Sequence, residues 1–145
     1  MAIKRLTPVS QIDAFVDAKM QRLEEAIIYN LSYVGEQCVN AARDTNSYKD
    51  RTGNLRSSVG YILVKNGTVI KSDFKQEKDG KTGFEEGPKF AKSLVKEFPR
   101  GIALIVVAGM NYAHYVAVRG YDVLDSAQIT AERLVPDIMK KLGFK

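Results

Sequence analysis

The sequence predicts an α+β fold, in which a long N-terminal helix and a C-terminal helix pack on a small, mostly antiparallel β-sheet. Three observations predict it. Apolar residues recur every three or four positions over the first third of the chain, a hairpin signal at Asn66-Gly67 joins two strand-like segments, and a helical pattern returns near the C-terminus. The 145 residues, 45% hydrophobic and 27% charged, suit one folded domain covering 1–145.

The first predicted helix runs from about residue 11 to 43, with Ser10 as its N-cap. It would be roughly 50 Å long, whereas a compact domain of this size is roughly 40 Å across. Either Gly35 therefore breaks the helix, or another subunit buries part of its apolar stripe. The stripe consists of Ile12, Val16, Met20, Leu23, Ile27, Leu31, Val34, Cys38 and Ala41, and it is widened by Phe15, Ile28, Tyr29 and Tyr33.

Two strands are predicted at 59–65 and 68–74, joined by the Asn66-Gly67 turn. The register of this hairpin places Val64 opposite Val69 and Leu63 opposite Ile70. The charged, glycine-containing segment 75–87 is predicted to be a mobile loop or a hairpin tip.

An extra short helix is predicted at 88–98, with Pro88 in its first turn. The strand at 102–108, "IALIVVA", has no polar residue on either face, which predicts a central strand buried on both faces. Helices would cover one face, and a neighbouring subunit could cover the other. Residues 112–119 are predicted to form a further strand or a turn. The final helix should span about 125–142, kinked or split at Pro136.

Composition and charge exclude several classes of protein. The N-terminus lacks the apolar run of a signal peptide and the longest apolar run is too short to span a bilayer, so a soluble chain is expected. The single cysteine, Cys38, falls within the helical stripe and is predicted to be a small buried residue. The net charge of +5 is a mild indication of an anionic partner.

No catalytic or metal-binding pattern is found in the sequence. His114 is the only histidine, and no spacing of cysteine or carboxylate residues indicates a metal site or a cofactor. A partly exposed structural residue is the favoured interpretation of His114. Thr52-Gly53-Asn54 is better explained as a turn, in which Gly53 supplies conformational freedom and Asn54 caps, than as a phosphate cradle.

Several arginines and tyrosines are candidates for contacts with another subunit or with DNA. Arg51 and Arg56 flank the turn, and they are either solvated loop charges or contacts to an acidic neighbour or to phosphates. The tyrosines are equally compatible with an interface and with a core. The candidate contacts are Arg51, Arg56, Tyr112, Tyr115 and Arg119.

Two stretches, "TGNLRSSV" at 52–59 and "NYAHYVAVRG" at 111–120, resemble elements of the small head–tail joining or tail-completion proteins of long-tailed phages and prophages. The resemblance covers the chain from about residue 10 to its end. The chain departs from the family pattern where Ala117, Val118 and Arg119 precede Gly120, and where Val123-Leu124 replaces a Pro-Phe pair.

The resemblance implies a structural virion protein without catalysis or cofactor, which assembles in the bacterial cytoplasm and resides in the neck or tail of the virion. Its expected partners are copies of itself in a ring, often a hexamer, and portal, connector or tail-tube proteins. DNA passing through the ring could contact it non-specifically, and no membrane is implied. A small basic nucleic-acid-binding module remains the alternative, and an enzyme using His114 is a third and weaker hypothesis.

Overall fold

A computed structural model describes residues 8–45 and 48–144. It confirms the predicted α+β class, because two long helices near the ends of the chain accompany a three-stranded antiparallel sheet and several short helices. The elements in chain order are α1 (Val9–Arg43), α2 (Asn54–Ser57), β1 (Val59–Lys65), β2 (Thr68–Phe74), α3 (Lys81–Ser93), a 3-10 turn (Val95–Glu97), β3 (Ile102–Ala108), α4 (Ala113–Val118) and α5 (Asp125–Lys141).

Strand β1 lies at the centre of the sheet, between β2 and β3. On one face Val59 and Leu104 pack against α1 and α5, and on the other face Ile62 and Ile105 pack against α3. The predictions that residues 102–108 form the central strand and that helices cover one face are therefore wrong. Strand β3 is apolar because helices pack on both of its faces. A strand at the edge of a sheet can be covered in this way as well as a central one.

The two-residue turn at Asn66-Gly67 is confirmed, with φ values of 50° and 79°. Positive φ at both positions is the signature of the hairpin turn whose twist matches the flanking strands. The predicted pairing of Val64 with Val69 next to this turn is also confirmed. The local turn chemistry of the sequence was therefore sufficient to place both strands.

The second predicted pair of the hairpin is wrong. Leu63 lies opposite Lys71 and not opposite Ile70, because the register shifts between Leu63 and Val64. One extra residue on β2 accounts for the shift, as in a β-bulge. The extra residue leaves Ile70 exposed on the outer strand.

Helix α3 begins at Lys81, so the prediction of a loop through residue 87 and of Pro88 in the first helical turn is wrong. Three small residues at steps of four, Gly83, Gly87 and Ala91, are buried along its inner face. A Cβ atom on Gly87 would lie 2.7 Å from the carbonyl oxygen of Ser58. The glycines that indicated a loop are therefore the residues through which the helix approaches its neighbours.

Helix α1 continues without a break through Gly35, whose Cα packs against the ring of Tyr61. The helix begins at Val9, and its N-cap is Pro8, so the prediction of Ser10 as the cap is wrong. Pro8 has φ −58° and ψ 144°, an extended backbone conformation that proline readily adopts. Of the two explanations for the length of this helix, the break at Gly35 is thus excluded.

In the C-terminal third of the chain, the structure differs from the sequence prediction at α4 and agrees with it at α5. Residues 113–118 form the short helix α4, not a strand or turn, because Ala113 and Val116 both face a small apolar cluster around Leu55. Helix α5 is confirmed, and it passes through Pro136 without splitting. Cys38 is confirmed as a buried residue, and its thiol donates to the carbonyl oxygen of Ala127 at 3.3 Å.

Among the helices of residues 8–45 and 48–144, none is long and apolar enough to cross a bilayer.

Candidate binding cleft

The "TGNLRSS" stretch joins three segments of the fold. Gly53 adopts φ 79°, a left-handed conformation that glycine tolerates, immediately before the single turn of α2. The side-chain oxygen of Asn54 accepts a hydrogen bond from the Gly83 N–H at 3.1 Å, so Asn54 caps α3, not its own helix. The Ser57 hydroxyl accepts from the Glu77 N–H at 2.7 Å. The stretch therefore holds α3 and the segment before it against the sheet.

Arg56 is held by the C-terminal end of α1. Its Nε donates to the Arg43 carbonyl oxygen at 3.1 Å and its Nη2 donates to the Thr45 carbonyl oxygen at 2.8 Å. Its guanidinium lies 5.3 Å from the centre of the Tyr48 ring. A cation at this end of a helix satisfies terminal carbonyl groups and complements the helix dipole.

Arg43 makes the reciprocal hydrogen bond to Arg56. Its Nε donates to the Arg56 carbonyl oxygen at 3.2 Å, Nη2 donates to the Lys75 carbonyl oxygen, and Nη1 lies 3.7 Å from a carboxylate oxygen of Glu77. Burial lowers the pKa of Arg43, and the Glu77 charge opposes that effect. The two arginines thus form a reciprocal clamp between α1 and α2.

The two arginines that flank the turn differ in their surroundings. Arg56 uses its guanidinium inside the chain, whereas Arg51 is exposed, and no hydrogen bond or ion pair of Arg51 is found within residues 8–45 and 48–144. Contacts of either residue with another subunit or with DNA stay a prediction. The structure favours Arg51 as the more available of the two.

A cleft of about 620 Å³ brings Tyr112, Tyr115 and Arg119 together. These three predicted contact residues lie on or next to α4, and the short helix places them along one wall. Lys49 joins them from the segment after α1; it had not been singled out, because a lone lysine in a polar loop carries no sequence signal. The cleft is lined by Tyr48, Lys49, Tyr112, Tyr115, Val116, Arg119 and Tyr121.

The tyrosines of the cleft divide into a buried base and an exposed rim. Tyr115 is 72% exposed and Tyr121 is 44% exposed, whereas Tyr48 is 8% exposed. Tyr61 does not belong to the cleft and is buried beneath α1. Exposed tyrosine rings around a partly buried base are the composition found at the centres of protein interfaces.

The hydroxyl group of Tyr48 is buried and has no hydrogen-bond partner among the residues that the structure describes. Burial raises the pKa of Tyr48; the Arg56 charge opposes this effect, and the Asp50 and Asp122 charges add to it. Burial likewise raises the pKa of Tyr112, assisted by Asp50. Both phenols therefore remain protonated hydrogen-bond donors at neutral pH.

His114 is exposed on α4, and its ring makes an edge contact with Tyr115 at 6.5 Å between centroids. Within the described parts of the chain, no group of three or more histidine, cysteine, aspartate or glutamate side chains is placed to hold a metal ion.

The N-terminal part of α1 is a second surface that residues 8–45 and 48–144 leave uncovered. Every residue from 9 to 22 is exposed, burial begins at Leu23, and Glu24 forms an ion pair with Lys65 at 2.7 Å. We call residues 9–22 the helix tip; they extend the helix by about 20 Å at 1.5 Å per residue. Ile12, Val16 and Met20 form an exposed apolar stripe along the tip.

Comparison of the chain with protein families, curated proteins and solved structures returns no match.

Proposed function

We propose that this chain is a structural subunit of a tailed phage or prophage, which assembles with copies of itself into a ring at the head–tail junction or tail end. The observation that carries the proposal is the helix tip, whose apolar stripe of Ile12, Val16 and Met20 no other part of the described chain covers. A helix that exposes such a stripe beyond its own domain is suited to bury it against another chain. The proposal assigns the chain no catalytic reaction.

The biological setting rests on the resemblance of "TGNLRSSV" and "NYAHYVAVRG" to phage head–tail joining and tail-completion proteins. In that setting the chain is a neck or minor tail protein of the virion, with a portal, connector or tail-tube protein as its neighbour. The positive net charge of +5 suits a ring through which DNA passes.

Replacement of Val16 by Asp is expected to weaken self-association at least tenfold, because it places a charge in the middle of the apolar stripe. The free energy of unfolding should change by less than about 0.5 kcal/mol, since the site is exposed within the single chain. Sedimentation equilibrium measures the first quantity, and urea unfolding of the dilute chain measures the second.

The matched control is Ala18→Asp, which introduces the same charge on the opposite side of the tip and should leave association unchanged. In the phage or prophage that carries the gene, Ala18→Asp should restore joined particles to a deletion strain and Val16→Asp should leave separate heads and tails, as seen by electron microscopy. A wild-type chain that stays monomeric, together with full complementation by Val16→Asp, would contradict the proposal.

A nucleic-acid-binding module is the second candidate, and the cleft is the observation that favours it. Exposed tyrosine rings can stack on bases while Lys49 and Arg119 contact phosphates. A single-stranded oligonucleotide should then bind more weakly at 200 mM salt than at 50 mM salt, and Tyr115→Ala should weaken binding further. Fluorescence anisotropy measures both effects, and the absence of binding at 50 mM salt removes this candidate.

A further inference from the structure

The helix tip and the cleft lie at opposite ends of the domain. Glu24, just after the tip, contacts Lys65 at the last residue of β1, whereas Arg43 contacts Arg56, which precedes the first residue of β1. The cleft lies at this second end, because Tyr48 stacks on Arg56. The described residues therefore leave two different surfaces uncovered, and these lie near opposite ends of β1.

We propose that the helix tip of one copy docks into the tyrosine cleft of the next copy. This inference rests on the proposed ring assembly and names its two contact surfaces. A contact between two different surfaces is heterologous, and its repetition closes into a ring when the rotation between copies allows it. The mode of recognition is an amphipathic helix laid into an aromatic groove, anchored by residues at i, i+4 and i+8.

The chemistry of the two surfaces is complementary. Beside the apolar stripe, Asp13 and Asp17 follow each other at a spacing of four and so line one border of the tip. The cleft offers the cations Lys49 and Arg119 between its tyrosine rings, and no ion pair of either is found in the described ranges. Two carboxylates thus meet two cations, while Ile12 and Val16 bury their side chains against the rings.

A polyanion fits the cleft less well than the helix tip does. A nucleic-acid strand would bring one phosphate per nucleotide to a site with two cations on its wall. The tip brings apolar surface to the rings, and its two carboxylates, Asp13 and Asp17, are balanced by Lys19 and Arg22, so it is not a polyanion.

Pairing of two tips with each other is the rival arrangement, and it would leave the cleft empty. Disulfide cross-linking separates the two arrangements. Chains carrying Val16→Cys are mixed with affinity-tagged chains carrying Tyr115→Cys, and the mixture is oxidised. The native Cys38 is buried in the wild-type chain, which serves as the blank. Ala18→Cys replaces Val16→Cys in the matched control.

The proposal predicts a mixed Val16→Cys/Tyr115→Cys product at least tenfold more abundant than the Ala18→Cys/Tyr115→Cys product. A dominant homodimer of Val16→Cys chains would overturn the docking proposal while leaving self-assembly of the chain intact. Absence of any cross-link in a chain that light scattering shows to be oligomeric would overturn it as well. Absence of a cross-link in a strict monomer would overturn both this inference and the proposed ring.

Charge reversal gives an independent test of the same contact. Asp17→Lys should weaken self-association about fivefold by facing the cations of the cleft. Arg119→Glu in the same chain should return the association constant to within about twofold of the wild type, because every contact then pairs the exchanged charges. If the double variant associated even more weakly than either single variant, the proposed pairing of these two residues would be overturned.

Discussion

Gly83→Ala is expected to lower the free energy of unfolding by about 2–3 kcal/mol, because the inner face of α3 has no room for a Cβ atom. A Cβ at this position would lie 2.7 Å from the carbonyl carbon of Asn54 and 2.9 Å from its Cα. Both atoms belong to the backbone of α2, which cannot move aside as a side chain can. The gain in helix propensity of about 1 kcal/mol for alanine over glycine offsets only part of this cost.

Thr82→Ala is the matched control, because it lies one residue away on the exposed face of the same helix. It should change the free energy of unfolding by less than about 0.5 kcal/mol. Equilibrium urea unfolding followed by circular dichroism measures both variants. Equal stability of Gly83→Ala and the wild type would show that α3 does not pack against α2 as described.

Arg56→Met is expected to lower the free energy of unfolding by about 2 kcal/mol, because it leaves part-buried carbonyl groups without their donors. The carbonyl oxygens of Arg43 and Thr45 each lose a hydrogen bond from the guanidinium, and the ring of Tyr48 loses its cation. Methionine retains much of the apolar stem, so the loss reflects the polar contacts and not the packing.

Arg51→Met provides the comparison, since Arg51 is exposed five residues before Arg56 and no hydrogen bond or ion pair of its side chain is found among the described residues. Its free energy of unfolding should match that of the wild type within about 0.5 kcal/mol. Chemical unfolding of both variants at neutral pH distinguishes a structural arginine from a surface arginine. If the two variants were destabilised equally, the clamp between α1 and α2 would not be a stabilising feature.

These expected results separate stability from assembly. Gly83 and Arg56 act within the packed domain, whereas Val16 and Tyr115 lie on surfaces that the domain leaves exposed. Variants of the first kind should unfold more easily as single chains. Variants of the second kind should fold normally and fail to associate.

Local sequence patterns were sufficient to locate the hairpin and the two long helices. The bounds of β1 and β2 follow from two strand-like segments on either side of Asn66-Gly67, whose turn chemistry acts over four residues. The length of α1 and the start of α5 follow from apolar spacing of three and four. Three of the five candidate contacts, Tyr112, Tyr115 and Arg119, proved to share one cleft.

Contacts between distant segments were required for the rest. The glycines of α3 belong to a helix because Asn54 and Ser58 approach them closely, and a sequence window around residue 83 contains neither partner. The extra residue, Ile70, is defined by the pairing of β1 with β2. The sequence of neither strand alone indicates it. Lys49 lines the cleft because the fold places residues 48 and 49 beside α4, which is distant in sequence.

What the chain encodes locally is thus its two long helices, its hairpin and the apolar tip of α1, because periodicity and turn chemistry depend on neighbouring residues. The order of the strands, the glycine face of α3, the internal role of Arg56 and the assembly of the cleft arise from folding. Each of these depends on how the helices and loops pack against the two faces of the sheet. No pattern along the chain specifies that outcome, since it depends on close packing between residues far apart in sequence.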